Sequence, residues 1–181
     1  ALHGVKLLHT SPYQRALVIG DGFEGLFFCQ ILKAYGVHEV DLVGRHDDKL
    51  AEEQKATGVD HVINSTKEKI PAKYDITVDA VGLPATQEAA VNATVKGAQV
   101  LMFGVGKPNQ HFSMNTYKVY QKELTIKGSF INPNAFIDSL DMLATGEVKV
   151  APIVKNLIKL EDVSDALSGK YTGKCVVKID G

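Results

Sequence analysis

The sequence predicts an α/β protein built on a doubly wound parallel sheet of six strands, with helices on both faces. Three observations carry this. Strand-like runs at 15–19, 39–43, 75–80 and 98–104 alternate with helix-like segments at 23–35, 47–57 and 84–95 over short links. The runs at 15–19 and 98–104 are almost continuously apolar, as strands covered on both faces are. Between the first run and the first long helix stands Gly20-Asp21-Gly22-Phe23-Glu24-Gly25, a glycine-rich turn in a strand–turn–helix setting.

The elements follow in order. Residues 2–8 read as a short helix that stops before Ser11-Pro12. Strand 15–19 feeds helix 23–35, which ends at Gly36. Strand 39–43 feeds helix 47–57, opened by Asp47 and Asp48. Strands 61–63 and 75–80 come next, then helix 84–95 and strand 98–104. A polar helix at 115–122 is placed over the crevice, followed by strand 124–130 and helix 133–144. Right-handed crossovers bring the carboxyl ends of the first, fourth and fifth strands around one crevice. After Gly146 the pattern changes. Residues 151–160 read as extended, 161–167 as a short helix and 174–179 as a terminal strand. This tail does not continue the strand–helix rhythm and is expected to pack against something outside the sheet. The division is 1–150 for the sheet domain and 151–181 for the tail.

Composition narrows the function. The net charge is −1 and charges of both signs are mixed along the chain, which argues against nucleic acid and membrane surfaces as partners. There is no run of 18 apolar residues to span a bilayer. Residues 1–10 are too few and too polar for a secretory signal, so a cytoplasmic location is expected. Cys29 and Cys175 are far apart, and Cys29 sits in an apolar helix, where a buried free thiol is expected. His3, His9, His38, His46, His61 and His111 have no Cys or carboxylate at zinc-ligand spacing and read as surface or core residues, so no metal site is expected.

The glycine turn carries the chemistry. Gly20 permits the tight strand-to-helix turn, Gly22 lets backbone approach a phosphate, and Gly25 lets the helix pack on the sheet. This is the Rossmann layout, in which a dinucleotide pyrophosphate rests on a helix N-terminus. The alternative is a structural turn without a ligand. Asp21 and Glu24 would repel a phosphate if they faced it, and Glu24 stands in the first helical turn; otherwise both face solvent. After strand 39–43 there is no acid to bind ribose hydroxyls, only Gly44, Arg45 and His46. A cation without an acid suits a ribose 2′-phosphate, so NADP(H) is expected over NAD(H). Alternatively, Arg45 covers the adenine ring. Lys49 is expected to reach the ribose or the phosphate.

With those residues placed, most of the chain resembles the coenzyme domain of the medium-chain, zinc-type alcohol dehydrogenases. The marks are VIGDGFEG (18–25), HEVDLVGRHDDKL (38–50), GVDHVIN (58–64), DITVDAVG (75–82), KGAQVLMFGV (96–105) and ELTIKGSFINP (123–133). The last is most similar to the polyol, sugar-alcohol and threonine dehydrogenase branch. The resemblance implies that Gly20, Gly22 and Gly25, with Phe23 and Glu24 between them, hold the pyrophosphate. It implies that Gly44, Arg45 and Lys49 flank the adenosine ribose, and that Val81 and Gly82 line the crevice. Gly104, Val105, Ser129 and Phe130 would present backbone to the nicotinamide, with Lys174 near the pyrophosphate. The family has an apolar residue where Glu24 stands.

The resemblance also implies a catalytic domain before this region. It would supply the zinc ligands, commonly a Cys, a His-Glu pair and a further acid, none of which is in this sequence. The tail, 142–167, then resembles the return towards that domain. The whole protein would move hydride between a secondary alcohol and NAD(P), and this chain alone would be catalytically silent. A Tyr-x-x-x-Lys pair for metal-free catalysis is absent: Tyr117 leads to Gln121 and Tyr120 to Leu124. Two other readings stand: a non-catalytic dinucleotide-binding module, and a methyltransferase, against which Gly44 argues. A homo-oligomer through the strand at 124–130 is expected as readily as an edge covered by the further domain.

Overall fold

The computed structural model describes residues 1–179. Strands β1 (Arg15–Ile19), β2 (Glu39–Gly44), β3 (His61–Asn64), β4 (Tyr74–Asp79), β5 (Thr94–Met102) and β6 (Thr125–Gly128) form one sheet in the order β3-β2-β1-β4-β5-β6. Every pairing in it is parallel. The order reverses between β1 and β4, and the reversal opens a crevice at the strands' carboxyl ends.

The apolar run at β1 is explained by two cores. Ala16 and Val18 point into one, with Phe28 and Leu32 of α2 (Phe23–Ala34) and Leu50 of α3 (Asp47–Thr57). Leu17 and Ile19 point into the other, with Ala90 and Val91 of α4 (Pro84–Asn92). Alternating residues are thus buried on opposite faces, so neither face can be polar. The helix α1 (Leu2–Lys6) closes the first core through Leu2 and Val5.

Two expected boundaries shift for local reasons. Helix α4 stops at Asn92 because the Thr94 hydroxyl donates to Val91 O at 2.7 Å and the chain enters β5 at once. After β6, Ile131 and Asn134 take φ of 51° and 56°, so α6 (Phe136–Thr145) cannot begin at Pro133. The polar helix is found as α5 (Thr116–Lys122), capped by the Asn115 side chain at Lys118 N.

The tail departs further from expectation. Only β7 (Asn156–Ile158) of the region 151–160 is a strand, and residues 151–153 turn. A 3-10 turn, Leu160–Asp162, leads into α7 (Val163–Leu167), and β8 (Cys175–Val177) then pairs in parallel with β7. The tail is therefore a small strand–helix–strand unit with its own sheet, so the rhythm is resumed on a smaller scale. It is tied to the main body by Ile153 in the first core and by Lys155, 2.9 Å from Glu52 of α3.

The closest backbone approach lies where β1 hands over to α2. Gly20 has φ of 116°, and its amide donates to Val43 O at 3.0 Å. A Cβ at Gly25 would lie 1.9 Å from Gly20 O. No side-chain adjustment relieves a clash with backbone, so Gly25→Ala has to push α2 off β1. The expected loss is about 3 kcal/mol in urea unfolding; an unchanged unfolding midpoint would contradict this packing.

Candidate functional site

The loops after β1, β2, β3 and β4 surround a cleft of about 480 Å³, lined by Gly20, Asp21, Gly44, Arg45, Ser65, Val81, Leu83 and Thr86 among others. Next to Val81 in its lining, the loops after β4 and β5 meet backbone to backbone. A Cβ at Gly104 would lie 2.1 Å from Gly82 N, and one at Gly82 would lie 2.6 Å from Val105 C. Asp79 joins these loops from within the sheet. Its fully buried carboxylate accepts from Val81 N at 3.2 Å and Gly82 N at 3.1 Å. Its carbonyl accepts from Phe103 N and Gly104 N at 3.0 and 2.8 Å. Gln110 adds a bond from Nε2 to Gly82 O at 3.0 Å.

At Gly22 the situation is the reverse. Its φ and ψ of −85° and 176° suit any residue, and a Cβ there would have nothing within 4 Å. It is the N-cap of α2, with no side-chain cap hydrogen bond. The first-turn amides of this twelve-residue helix are therefore open to an outside acceptor, and the helix dipole favours an anion there. Lys174 brings a cation to the same end, with Nζ 4.8 Å from the centroid of the Phe23 ring.

The two acids in the turn go separate ways. Glu24 lines a groove on the other side of α2, with Leu2, Phe27, Ile31 and Met142, and is not among the residues lining the cleft. Asp21 turns towards β2. Its Oδ2 lies 2.7 Å from where a Cβ on Gly44 would stand and 3.0 Å from Lys49 Nζ. Lys49 also donates to Asp21 O at 2.7 Å and lies 3.4 Å from Glu53 Oε1. Lys49 is thus held in a triad with Asp21 and Glu53. Glu53 is buried on α3, and burial pushes its carboxyl up to about 7; Lys49 opposes that rise and Asp21 adds to it. Arg45 is exposed at the lip of the cleft and has no ion-pair partner among the described residues.

Gly104, Val105, Ser129 and Phe130 follow β5 and β6 and are not among the residues lining the cleft. Val105 and Phe130 are 92% and 82% exposed. Ser129 N donates to Met102 O at 3.1 Å, while its buried Oγ has no hydrogen-bond partner. Ser65, Leu83 and Thr86 were not anticipated from sequence. Ser65 follows β3 and bonds Gly44 O at 3.0 Å through its hydroxyl, and Thr86 lies in the first turn of α4. Position just past a strand's carboxyl end was the available signal.

Among the described residues, one set of potential metal ligands converges: Glu39, Asp41 and His61, with ligand atoms within 4.8 Å of one another. Sequence spacing did not reveal it, because β2 and β3 bring it together by pairing Asp41 with His61. It lies towards the amino ends of those strands, away from the cleft. Lys73 already supplies the cation, pairing with Glu39 and lying 3.1 Å from Asp41 Oδ2, while Tyr74 Oη donates to Asp41 at 2.8 Å. Burial and the Asp41 charge hold the Tyr74 phenol well above its ordinary range. No helix of the described residues is long and apolar enough to cross a membrane.

A sheet of this order, with a glycine turn and an open helix N-terminus at its reversal point, defines a dinucleotide-binding class of domain. Residues 25–145 match the family described as zinc-binding dehydrogenase, and the chain belongs to that family, corresponding to its cofactor-binding part. It is 26% identical to D-arabinitol dehydrogenase 1 of Uromyces fabae, over 97% of this chain and 54% of that protein. It is 27% identical to D-xylulose reductase A of Aspergillus niger, over 96% and 52%. The chain thus spans about half the length of these curated relatives. Among solved structures, a zinc-binding dehydrogenase of Sinorhizobium meliloti 1021 bound to NADP superposes with a TM-score of 0.91, at 21% identity over 98% of this chain and 56% of that one. A short chain alcohol dehydrogenase of Escherichia coli CFT073 complexed with NADH gives 0.85, at 24% identity over 97% and 54%. At these identities the superpositions establish the fold.

The Glu53 environment has a consequence for stability. Its folded carboxyl keeps its proton to about pH 7, whereas an unfolded one loses it near 4.5, so stability falls as pH rises through that window. Glu53→Gln removes the dependence. It should stabilise the protein by on the order of 1–2 kcal/mol at pH 8 and by almost nothing below about pH 5, read from thermal unfolding across pH. A constant difference at all pH values would contradict the assignment.

Proposed function

We propose that this chain is the NAD(P)-binding part of a zinc-dependent polyol or secondary-alcohol dehydrogenase, with NADP(H) as its preferred cofactor. The observation that carries the reading is Gly22. The fold needs no glycine there, yet one stands at the open N-terminus of α2 with empty space before it. A pyrophosphate drawn onto the amides of Phe23 and Glu24 is what a side chain at 22 would obstruct. Gly20 and Gly25 shape the turn, and Lys174 supplies countercharge. Gly44 and Arg45 would meet the adenosine ribose, and Arg45, exposed and unpaired among the described residues, supports a 2′-phosphate. Val81, Gly82, Gly104 and Val105, with Ser129 and Phe130 after β6, would border the nicotinamide.

The bound dinucleotide would supply the hydride acceptor or donor; this chain's residues bind and orient it. Zinc does not fit the described residues at the cleft, since the converging ligands Glu39, Asp41 and His61 lie elsewhere and are already compensated by Lys73. The alcohol or ketone and the metal would therefore be met by a further part of the whole protein, with residues 151–179 at the junction. Exposed Phe130, Ile131, Phe136 and Ile137, and the outer edge of β6, support a covering partner, either that part or a second copy of the chain. The buried free thiol of Cys29 suits a cytoplasmic protein.

Titration with NADPH, followed by cofactor fluorescence, tests the reading. Gly22→Ala should weaken binding at least about tenfold, the scale of one lost phosphate contact of 1.4 kcal/mol or more, while the melting temperature falls by no more than a few degrees, roughly the N-cap preference for Gly over Ala. Equal affinity in the two proteins, or turnover of a polyol by the chain alone, would contradict it.

A further inference from the structure

Beside Gly44, at the adenosine end of the cleft, lies a charged triad that the dinucleotide reading leaves unused. Gly44 ends β2 without a side chain, and the Asp21 carboxylate fills the space one would take. Asp21 Oδ2 and Glu53 Oε1 lie 3.0 and 3.4 Å from the same Lys49 ammonium. Two carboxylates thus share one cation. Glu53 is only 2% exposed, and its Oε2 is buried without a hydrogen-bond partner. Such a group is held at a cost as an anion and readily as an acid. Asp21, Gly44 and Arg45 all line the cleft.

We infer that the Asp21–Lys49–Glu53 triad sets the charge behind the adenosine ribose, so that discrimination between a ribose 2′-phosphate and a 2′-hydroxyl depends on the proton held by Glu53. The inference rests on the dinucleotide reading above. With Glu53 protonated, Asp21 and Lys49 cancel and the triad is neutral. When Glu53 gives its proton to solvent, the triad carries one net negative charge. A phosphate beside Gly44 and Arg45 is repelled by that charge, and a hydroxyl is hardly affected. Burial places the titration of Glu53 at about 7, within the range where the change can be followed. The groups facing Glu53 are Lys49 on its own helix, Asp21 from the β1–α2 turn, Lys155 from the tail and Cys29 from α2. Lys155 is engaged with Glu52, and burial keeps the Cys29 thiol protonated, so Asp21 and Lys49 dominate.

Adenosine 2′,5′-bisphosphate and 5′-AMP separate the two cases, because they differ only at the 2′ position. Each is titrated calorimetrically into wild type, Glu53→Gln and Asp21→Asn at pH 5.5 and 8.5. Comparing proteins at one pH cancels the probe's own phosphate ionisation. At pH 8.5 Glu53→Gln should bind the bisphosphate roughly three- to tenfold more tightly than wild type, with the two converging at pH 5.5. Affinity for 5′-AMP should change less than about twofold. Asp21→Asn should favour the bisphosphate in the same direction at pH 8.5 and serves if Glu53→Gln does not fold. In wild type, the carbon-13 titration of the Glu53 carboxyl should move to higher pH when the bisphosphate is bound and stay in place with 5′-AMP, as linkage requires. Equal bisphosphate affinities at pH 8.5, or a Glu53 titration that ignores the bisphosphate, overturn the inference and leave dinucleotide binding intact. Failure of wild type to bind either probe overturns the dinucleotide reading and the inference with it.

Discussion

Backbone contact at the carboxyl ends of β1, β4 and β5 is the constraint on which the rest depends. Gly25 meets Gly20 O, and Gly104 meets Gly82 N, at distances that admit no Cβ. Those contacts let α2 start directly over the sheet and bring the loops after β4 and β5 together. Asp79 fixes the second contact by bonding to amides on both loops. The junction beside the cleft is therefore main chain held by the buried Asp79, and the cleft itself takes its charged side chains, Asp21 and Arg45, from the loops after β1 and β2. The end of α2 beside it suits an anion, because Glu24 lies in the groove on the α1 side and Asp21 is engaged by Lys49.

The electrostatics follow from where the two turn acids go. Glu24 lies in the first turn of α2, but a helix turns about 100° per residue, so neighbouring first-turn positions face different ways. Its side chain falls on the α1 side. Asp21 precedes the helix and folds back against Gly44, where Lys49 meets it. The missing side chain at the end of β2 and the extra acid in the glycine turn are thus two halves of one arrangement. Arg45 stands outside it and keeps its charge for the cleft.

Much of this was legible in the sequence, for a physical reason. Strand β1 and helix α3 begin and end where hydrophobic pattern and charge place them, at Arg15–Ile19 and Asp47–Thr57. The glycines were legible because their role is backbone geometry, which depends on local order. Thr94, Asn134 and the tail were not. Their conformations rest on a hydroxyl cap, a left-handed residue and a pairing between strands that flank a helix, none of which has a periodicity. Within the site, the family resemblance puts Lys49 beside the adenosine ribose. Its engagement with Asp21 depends on how two loops meet in space, as does the convergence of Glu39, Asp41 and His61. Side-chain direction at such meetings is set by tertiary packing, and no single segment encodes it.

In the proposed function, the sheet's carboxyl edge, with the open end of α2, would hold a nicotinamide dinucleotide. Amide nitrogen-15 shift mapping with NADPH tests it most directly. The largest shifts are expected at Gly20, Gly22, Phe23, Gly44, Arg45, Val81, Gly82 and Gly104, with Glu39 and His61 unmoved at the opposite edge. Shifts centred on Glu39, Asp41 and His61, or none at saturating NADPH, would contradict it.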